Sequence, residues 1–429
     1  MSSFALSTWL LRLGLFLMLL ASAGAEAHAD GQKTVVVVGG GYAGVEAATR
    51  LAKDRSVRVV LLDKAAHHTE VTRLHESAAN NSKVQHRLSD IASAKGFEFR
   101  NAEVTGIELG AKRVQTRNGP IKYDSVVVAV GGTTSWPKVP GLKQHGLGIR
   151  TPWEAQKIRK TIEANLANAG ASKDPAERQR LGRIVIAGAG STGVEMAAEM
   201  AEAIPTLAKQ HGLSPKDISV HLVQRGPEIL SSAGDLTPAD RARAQKKLQA
   251  MGVVVHTNAE LKELTQSTMF LQKKGKSKAT PMKVSTVVWA GGVKASAAAE
   301  AWGLPIGKQG RIVVDGNLRI KGAEGAYAIG DSAAALDPKS GAMVGMTAQE
   351  AKIQAKVAAN NISLANRGKT LKVYKPKSAG TLVSLGRKDA VGRVLGIGVR
   401  GRFASVLKKG IEWRHKRALR KSPLFRAKP

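Results

Sequence analysis

Two short stretches of this sequence place a run of β-branched residues directly before a cluster of glycines. They are TVVVVGGGYAG at 34–44 and RIVIAGAGSTG at 183–193. Each fits the pattern Gly-x-Gly-x-x-Gly, and each is followed by residues with helical spacing. The first glycine permits a tight turn, the second lets a pyrophosphate approach the backbone, and the third lets the helix pack closely on the strand. The chain is therefore predicted to contain two βαβ units, each binding a dinucleotide.

The two units differ where the second strand of each one ends. Asp63 stands about twenty residues after the first glycine turn, where a carboxylate can accept hydrogen bonds from ribose hydroxyls. The matching position in the second unit is Gln224, which is followed by Arg225. Two interpretations stay open: the site accepts NADPH at least as readily as most NADH sites do, or Gln224 binds the ribose of NADH while Arg225 faces water.

Other patterns predict an α/β chain. In residues 97–119 apolar and polar side chains alternate, which predicts a set of antiparallel strands inserted in the first half. The apolar runs at 123–132 and 325–333 indicate buried strands that end in glycine. An amphipathic helix is predicted over 151–170, and the charged stretch 171–182 has the composition of an exposed linker.

The sequence of 429 residues contains no cysteine. This excludes structural disulfides, thiolate zinc sites, redox pairs of the CxxC type and thiol nucleophiles. The ten histidines show no spacing typical of metal ligands, so no metal site is predicted. The chemistry must come from other side chains or from a cofactor.

The two ends of the chain have unusual compositions. An apolar run at 13–25, preceded by Arg12, indicates a signal peptide, with an uncleaved anchor or an organelle presequence as alternatives. The formal net charge is +33, and from Arg367 onward nineteen Lys and Arg stand against two acids. Such a balance favours an anionic partner, which can be a lipid surface or a nucleic acid.

In order along the chain, the segments GGGYAG, VVVAVGG, GAGSTGVE, WAGGVKAS, AYAIGD and TAQEA resemble the FAD-dependent pyridine nucleotide oxidoreductases. The resemblance is greatest to the type II NADH:quinone oxidoreductases, and it extends to the apoptosis-inducing-factor-like and ferroptosis-suppressor-like flavoproteins. It implies two Rossmann-like domains, with a discontinuous FAD domain around an inserted NAD(P) domain, and a basic C-terminal segment that associates with the membrane. It also implies that NAD(P)H reduces FAD and that a quinone or another two-electron acceptor takes the electrons.

The resemblance implies these domain limits: a signal peptide or anchor at 1–29, the FAD domain at 32–150 and 309–365, the NAD(P)H domain at 151–308, and a basic C-terminal region at 366–429. The residues expected to hold FAD are Gly39, Gly40, Gly41, Tyr42, Ala43, Gly44, Asp63, Lys64, Gly131, Gly330, Asp331 and Ala348. Those expected to hold NAD(P)H are Gly188, Gly190, Ser191, Thr192, Gly193, Gln224, Arg225 and Gly291.

Two residues are candidates for catalytic roles. By the resemblance, Glu195 is expected to contact the nicotinamide side, and Gln349 the quinone carbonyl or the flavin edge. Family members often carry a second Gln four residues later, but Ile353 stands there and Gln354 follows it. That shift of about 100° on a helix predicts that Gln354 faces elsewhere.

The tail RGRFASVLKKGIEWRHKRALRKSPLFRAKP places apolar residues, among them Phe403 and Trp413, between basic ones. This pattern favours an interfacial helix on anionic lipid, with a disordered basic tail as the alternative. Two other functions stay open, namely a flavoprotein that binds nucleic acid or a protein partner, and a reductase of a soluble electron carrier. The sequence does not fix the oligomeric state, for which a homodimer is one option.

Overall fold

The computed structural model describes residues 31–420 of the chain. The predicted leader at 1–29 and the last nine residues of the basic tail lie outside the described residues.

A first parallel sheet is formed around the valine run of the first βαβ unit. Val35, Val36 and Val37 are fully buried, as the continuous apolar run predicts for a strand covered on both faces. The strand Ala326–Ala328, which comes late in the chain, completes this sheet at its edge, beside the strand that begins at Ser125. The five strands, in spatial order, are Ala326–Ala328, Ser125–Val128, Lys33–Val38, Val57–Asp63 and Glu98–Asn101.

A second parallel sheet repeats this arrangement around the strand that precedes the second glycine turn. Its strand order places the two halves of a βαβ unit next to each other, in register from Arg183 with Ser219 to Ala187 with Val223. The five strands, in spatial order, are Leu147–Gly148, Thr286–Trp289, Arg183–Ala187, Ser219–Val223 and Val254–His256.

Antiparallel strands make the remaining sheets. The antiparallel strands predicted in the first half are present but begin later than expected, because Glu98–Asn101 joins the first parallel sheet. The three-stranded sheets consist of Val104–Glu108, Arg113–Thr116 and Gly119–Lys122; Ala259–Leu264, Thr268–Lys273 and Thr280–Lys283; and Gly380–Ser384, Ala390–Val394 and Ile397–Arg400. The two-stranded pairs are His67–Thr69 with Gln85–Arg87, and Gly132–Thr134 with Val293–Ala295.

Helices cover the faces of both parallel sheets. The α-helices are Tyr42–Leu51, Leu74–Asn80, Leu88–Lys95, Leu142–His145, Pro152–Ala171, Pro175–Leu181, Ser191–Gln210, Pro238–Ala250, Ala298–Ala301, Ala348–Ala365 and Gly401–Arg420. Short 3₁₀ turns occupy Val71–Arg73, Pro215–Asp217, Lys308–Gly310 and Gly330–Ser332.

The stretch predicted as an exposed linker is largely exposed, but it contains a helix and is not only a connecting segment. The side chain of Asp174 caps the helix Pro175–Leu181 by accepting a hydrogen bond from the amide of Ala176 at 2.9 Å. Proline suits the first position of a helix, and an aspartate before it is a preferred cap. The charged residues of the stretch lie mostly on the side of this helix that faces solvent.

Several contacts join the two dinucleotide-binding units. The strands Gly132–Thr134 and Val293–Ala295 pair across them. The indole of Trp289 donates a hydrogen bond to the carbonyl oxygen of Ser135 at 2.8 Å. The guanidinium of Arg150 pairs with the carboxylate of Asp331.

The C-terminal hairpin and helix connect the two units a second time. Val383, Leu385 and Val391 of the hairpin pack into the core of the second unit. The helix Gly401–Arg420 then runs back, and Leu419 inserts into the core of the first unit. The basic region from residue 366 to 420 is therefore largely folded, and the alternative of a disordered tail is wrong for this part of the chain.

The predicted fold class is confirmed. The chain is an α/β protein with two parallel sheets, and the inserted second unit separates the late strand Ala326–Ala328 from the rest of the first sheet. The numerical limits of the domains stay a prediction.

Candidate dinucleotide-binding sites

The first glycine turn is built by contacts too close for any side chain. A Cβ atom on Gly39 would lie 2.3 Å from the carbonyl oxygen of Ala129, and one on Gly44 would lie 1.8 Å from that of Gly39. Gly39 also has a φ of +110°, which favours glycine. Gly41 differs, because nothing lies within 4 Å of its Cβ position. The turn needs glycine for packing at two positions and leaves open space at the third, where the pattern expects a pyrophosphate.

Asp63 fastens this turn from the end of the neighbouring strand. Its carboxylate accepts hydrogen bonds from the amide of Gly40 at 2.5 Å and from the amide of Ala65 at 2.7 Å. Burial raises the pKa of Asp63, although both hydrogen bonds act in the opposite direction. The structure places Asp63 beside the turn, as the sequence spacing predicts, and its contact with a ribose stays a prediction.

The motif Gly330-Asp331 lies in the same part of the first unit and is held by two residues that sequence reasoning did not single out for this role. The amide of Gly330 donates a hydrogen bond to the side-chain oxygen of Gln354 at 2.7 Å. The carboxylate of Asp331 pairs with Arg150, whose guanidinium also donates to the carbonyl oxygen of Gly132 at 3.5 Å. Arg150 therefore ties the segment that follows the strand Ser125–Val128 to the segment that contains Gly330 and Asp331.

The second glycine turn repeats the packing of the first. A Cβ atom on Gly188 would lie 2.6 Å from the amide nitrogen of Gly291, and one on Gly193 would lie 1.8 Å from the carbonyl oxygen of Gly188. At Gly190 the nearest atom to the Cβ position is the hydroxyl oxygen of Ser232, at 3.3 Å. Gly291 thus lies against the turn, and its contact with NAD(P)H stays a prediction.

Gln224 takes the place in the second turn that Asp63 has in the first. Its side-chain oxygen accepts a hydrogen bond from the amide of Ala189 at 3.2 Å, and its nitrogen donates to the hydroxyl of Ser231 at 3.4 Å. The neighbouring Arg225 is exposed. This site therefore carries a neutral amide and an exposed cation at the positions where the first site carries the carboxylate of Asp63 and the cation of Lys64.

The two helices that begin at these turns expose their first amides. The helices Tyr42–Leu51 and Ser191–Gln210 have glycine at the N-cap, no side-chain cap, and no acid in the first turn. By contrast, threonine caps the helices Pro152–Ala171, Pro238–Ala250 and Ala348–Ala365. Unsatisfied amides and the positive end of the helix dipole favour an anion, so both turns fit the phosphates of a dinucleotide.

Glu195 lies in the first turns of the second of these helices and is buried in a network that reaches the C-terminal helix. Its carboxylate accepts hydrogen bonds from the amide of Ser384 at 3.0 Å and from its hydroxyl at 3.2 Å, and it binds the ammonium of Lys408. The ring of His75 lies 3.8 Å from its other oxygen. Burial alone would raise the pKa of Glu195, but Lys408 and His75 overcome this and hold the pKa below its usual range.

The other predicted site residues are distributed around the two turns. Ala43 is buried, and a Cβ atom on Gly330 would lie 3.0 Å from its methyl group. Ser191 and Thr192 open the second helix, and Ala348 opens the helix after the Gly330 motif. The Cβ position of Gly131 is open, while Lys64 is 75% exposed, with its ammonium 3.9 Å from Glu103.

The structure separates Gln349 from Gln354. The amide of Gln349 donates a hydrogen bond to the carbonyl oxygen of Lys377 at 2.8 Å, at the edge of the C-terminal region. Gln354 is 1% exposed and faces the Gly330 turn, so its side chain is not available as a surface contact. Gln349 is therefore the more accessible of the two, and its role towards a quinone stays a prediction.

A partly buried cluster of rings connects the first glycine turn with the C-terminal helix. Tyr42 stacks on His415, with ring centroids 4.9 Å apart, and meets the edge of His68 at 5.1 Å. His68 binds the carbonyl oxygen of Gly40 through Nδ1 at 2.9 Å, and burial lowers its pKa to about 4. The ammonium of Lys352 lies 2.9 Å from Nδ1 of His415. The C-terminal helix thus touches the elements that carry both dinucleotide turns.

Comparison with known proteins agrees with this geometry. Residues 33–359 match the pyridine nucleotide-disulphide oxidoreductase family. The chain is 30% identical over 380 residues to the type II NADH:quinone oxidoreductase of Staphylococcus aureus, covering 87% of this chain and 92% of that protein. The match to the enzyme of the same name from Staphylococcus epidermidis has the same values.

Solved structures show the same fold at lower sequence identity. NDH2 of Plasmodium falciparum in complex with NADH superimposes with a TM-score of 0.82 at 17% identity, covering 91% of this chain and 96% of that one. The sulfide:quinone oxidoreductase of Aquifex aeolicus superimposes with a TM-score of 0.75 at 17% identity, covering 90% and 91%.

The fold, the two glycine turns and the match over 33–359 place the chain in the pyridine nucleotide-disulphide oxidoreductase family. Within it, the chain belongs to the type II NADH:quinone oxidoreductases, as the sequence resemblance predicts.

The buried pair of Glu195 and Lys408 yields a test of stability. Lys408→Met leaves the Glu195 carboxylate buried without its cation and is expected to lower the free energy of unfolding by about 3 kcal/mol. Urea denaturation of the Lys408→Met, Glu195→Gln and double variants measures the coupling, and the double variant should lose less than the sum of the single ones. Lys409→Met, at the exposed next position, is the control.

The same pair sets the pH dependence of this stabilisation. Because the folded state holds the pKa of Glu195 below its ordinary 4.5, the contribution is present above that pH and is lost as the pH falls below it. Equal stabilities of Lys408→Met and Lys409→Met at pH 7 would contradict the assignment.

Proposed function

We propose that this protein is an FAD-dependent dehydrogenase that passes electrons from NADH, through the flavin, to a quinone. One observation carries the proposal: a chain 30% identical to type II NADH:quinone oxidoreductases over 87% of its length contains two glycine turns that both fit dinucleotides. FAD belongs in the first turn and the nicotinamide nucleotide in the second.

The residues near each turn would hold its cofactor. In the first unit, the amides after Gly41 would bind the pyrophosphate of FAD and Asp63 would bind a ribose, while the family resemblance implies that Asp331 and Gly131 would lie toward the flavin part. In the second unit, the open position at Gly190 admits the nucleotide pyrophosphate. Bound FAD supplies a ring that takes a hydride from nicotinamide and gives up its electrons to an acceptor. The protein contributes binding, orientation and exclusion of water.

The absence of cysteine restricts what else the chain can do. Reactions that depend on a redox-active cysteine pair beside the flavin are excluded, because the sequence has none. The chain therefore has the fold of a disulphide oxidoreductase family without the residues for disulphide chemistry. This leaves transfer from nicotinamide through the flavin to an external acceptor.

Gly41 gives the test of FAD binding. The purified protein should be yellow and should oxidise NADH with a short-chain quinone. Gly41→Val should leave the melting temperature of the FAD-free protein unchanged, since the Cβ position is open, but should abolish flavin absorbance because the branched side chain occupies the pyrophosphate space. Gly110→Val, at another open glycine position, is the control and should retain flavin. A wild-type protein that stays colourless after reconstitution with FAD would refute the proposal.

Gln224 and Arg225 set the choice between NADH and NADPH. With no carboxylate at position 224 to repel a 2′-phosphate, the site should turn over NADPH with a kcat/KM within about tenfold of that for NADH. Gln224→Glu should raise the preference for NADH by about tenfold or more, because it restores the carboxylate. The conservative variant Gln224→Asn is the control. A wild-type preference for NADH well above tenfold would contradict this prediction and favour the alternative in which Gln224 binds the ribose.

We further propose that the outer face of the C-terminal helix associates with an anionic membrane surface. Phe403 and Val406 are each 68% exposed and Trp413 is 59% exposed, on the side of the helix opposite Lys408 and Glu412. The hairpin adds two exposed apolar residues, Leu395 at 74% and Ile397 at 70%. The exposed cations around them are Arg400, Arg402, Lys409, Arg414, Arg417 and Arg420. Apolar side chains in a basic surround are the pattern of an interfacial helix.

Within residues 31–420, the structure contains no helix with both the length and the apolar character needed to cross a bilayer.

Vesicle flotation tests the membrane surface. The variant Phe403→Ser/Val406→Ser/Trp413→Ser should bind vesicles containing anionic phospholipid at least about tenfold less tightly, because it removes apolar groups that would enter the interface. Trp153→Ser, which changes a tryptophan 66% exposed on another helix, is the control. Retention on DNA at matched salt separates the rival: a triple variant that loses DNA binding but keeps vesicle binding would favour a nucleic-acid partner.

A further inference from the structure

A cavity of about 470 Å³ lies between the helices Leu74–Asn80, Ser191–Gln210 and Gly401–Arg420 and the C-terminal hairpin. Its walls are polar and charged. They include Lys408 of the buried pair and Trp413 of the outer helix face. The cavity therefore extends from the surface proposed to meet lipid to the ion pair with Glu195.

Glu199 is a buried carboxyl group in the wall of this cavity. It is 5% exposed, and its carboxylate accepts a hydrogen bond from the side-chain amide of Asn80 at 2.8 Å. Burial raises its pKa to about 7, the neighbouring carboxylates of Glu202 and Glu76 add to this, and Asn80 and Arg387 act in the opposite direction. A carboxyl group with this pKa changes its protonation around neutral pH.

Glu199 also lies one helical turn from Glu195, the carboxylate that pairs with Lys408. It lies four residues after Glu195 on the helix Ser191–Gln210, and residues at this spacing share one face with Cβ atoms about 5–6 Å apart. The ammonium of Lys408, which binds Glu195, lines the same cavity. Glu199 and Lys408 thus line one cavity, and Glu195 lies one helical turn from Glu199 on the same helix face.

The proposed reaction consumes a proton at the acceptor. NADH supplies two electrons and one hydrogen as a hydride, so the conversion of a quinone to a quinol also takes one proton from water. The overall balance is NADH plus quinone plus a proton giving NAD⁺ plus quinol. An apolar acceptor in a site shielded from solvent needs a protein group to bring that proton.

We propose that Glu199 is the proton-uptake group of this reaction, an inference that rests on the function proposed above. The O–H bond of its carboxylic acid breaks, and the proton passes by way of the Glu195–Lys408 pair to the acceptor oxygen, where a new O–H bond forms. The carboxylate left on Glu199 takes a proton from water in the cavity. The electrons come from NADH, so the step requires no further oxidant or reductant.

Two acceptors separate proton uptake from electron transfer. Ferricyanide accepts electrons without protons, whereas a short-chain quinone requires them. With the FAD-loaded full-length enzyme, the ratio of kcat with quinone to kcat with ferricyanide is measured from pH 5.5 to 9. In the wild type this ratio should fall as the pH rises through about 7, because the donor form of Glu199 is lost. In Glu199→Gln the ratio at pH 6 should be lower than that of the wild type by at least about tenfold, and it should not change with pH.

A second variant moves the transition instead of removing it. Glu202→Gln takes away a carboxylate that raises the pKa of Glu199, so the fall of the ratio should shift to lower pH. Glu108→Gln is the matched control, because this half-exposed glutamate pairs with Arg113 on an antiparallel sheet of the first unit and should leave the profile in place. The shift in Glu202→Gln keeps the inference testable if Glu199→Gln fails to fold.

The outcomes distinguish this inference from the function on which it rests. A wild-type ratio that does not change with pH, or a Glu199→Gln profile equal to that of the wild type, overturns the role of Glu199 alone. An enzyme that reduces ferricyanide but no quinone at any pH overturns the proposed function and this inference together.

Discussion

The close approach of backbone to backbone at the two glycine turns is the constraint on which the structure depends. At each turn a strand, a crossover and a helix meet at distances that leave no room for a Cβ atom, as between Gly44 and Gly39 and between Gly193 and Gly188. This packing brings uncapped helix ends to the carboxyl edge of each sheet, where anions are favoured. The same packing leaves Gly41 and Gly190 facing free space or a single hydroxyl.

The rest of the structure keeps the two turns in a fixed relation to each other. Arg150 and Asp331 join the late segment of the first unit to the connection that enters the second, and Trp289 bonds across to Ser135. The C-terminal helix repeats this joint with charged groups, through Lys408 and Glu195 on one side and His415 and Tyr42 on the other. Two cofactor rings can exchange a hydride only at near-attack distance, so a rigid relation between the units is a requirement of the proposed chemistry.

Much of the fold could be predicted from the sequence because it depends on local patterns. The valine run at 35–38, the glycine spacing and the acid at Asp63 are contained within short segments, and the order of the segments identified the family. What could not be predicted depends on distant contacts. Arg150 precedes an ordinary helix cap, and nothing local relates it to Asp331, 181 positions later. The helical offset predicted that Gln354 faces away from the site of Gln349, and it does, but the offset could not show that its partner is the Gly330 turn, 24 residues earlier. Lys408 looked like one cation of a basic tail, since only the fold brings it to Glu195.

The way in which the helix Gly401–Arg420 is attached affects how the chain can be manipulated. Its inner side carries Lys408, which pairs with Glu195, and Leu419, which packs in the core of the first unit. This helix is therefore part of the folded body of the protein and not a separable membrane-targeting segment. Truncation before Gly401 would strand the carboxylate of Glu195 and uncover apolar surface. A shortened chain that no longer floats with vesicles would thus report damage to the enzyme body as readily as loss of lipid contact, and only substitutions confined to the outward face separate the two.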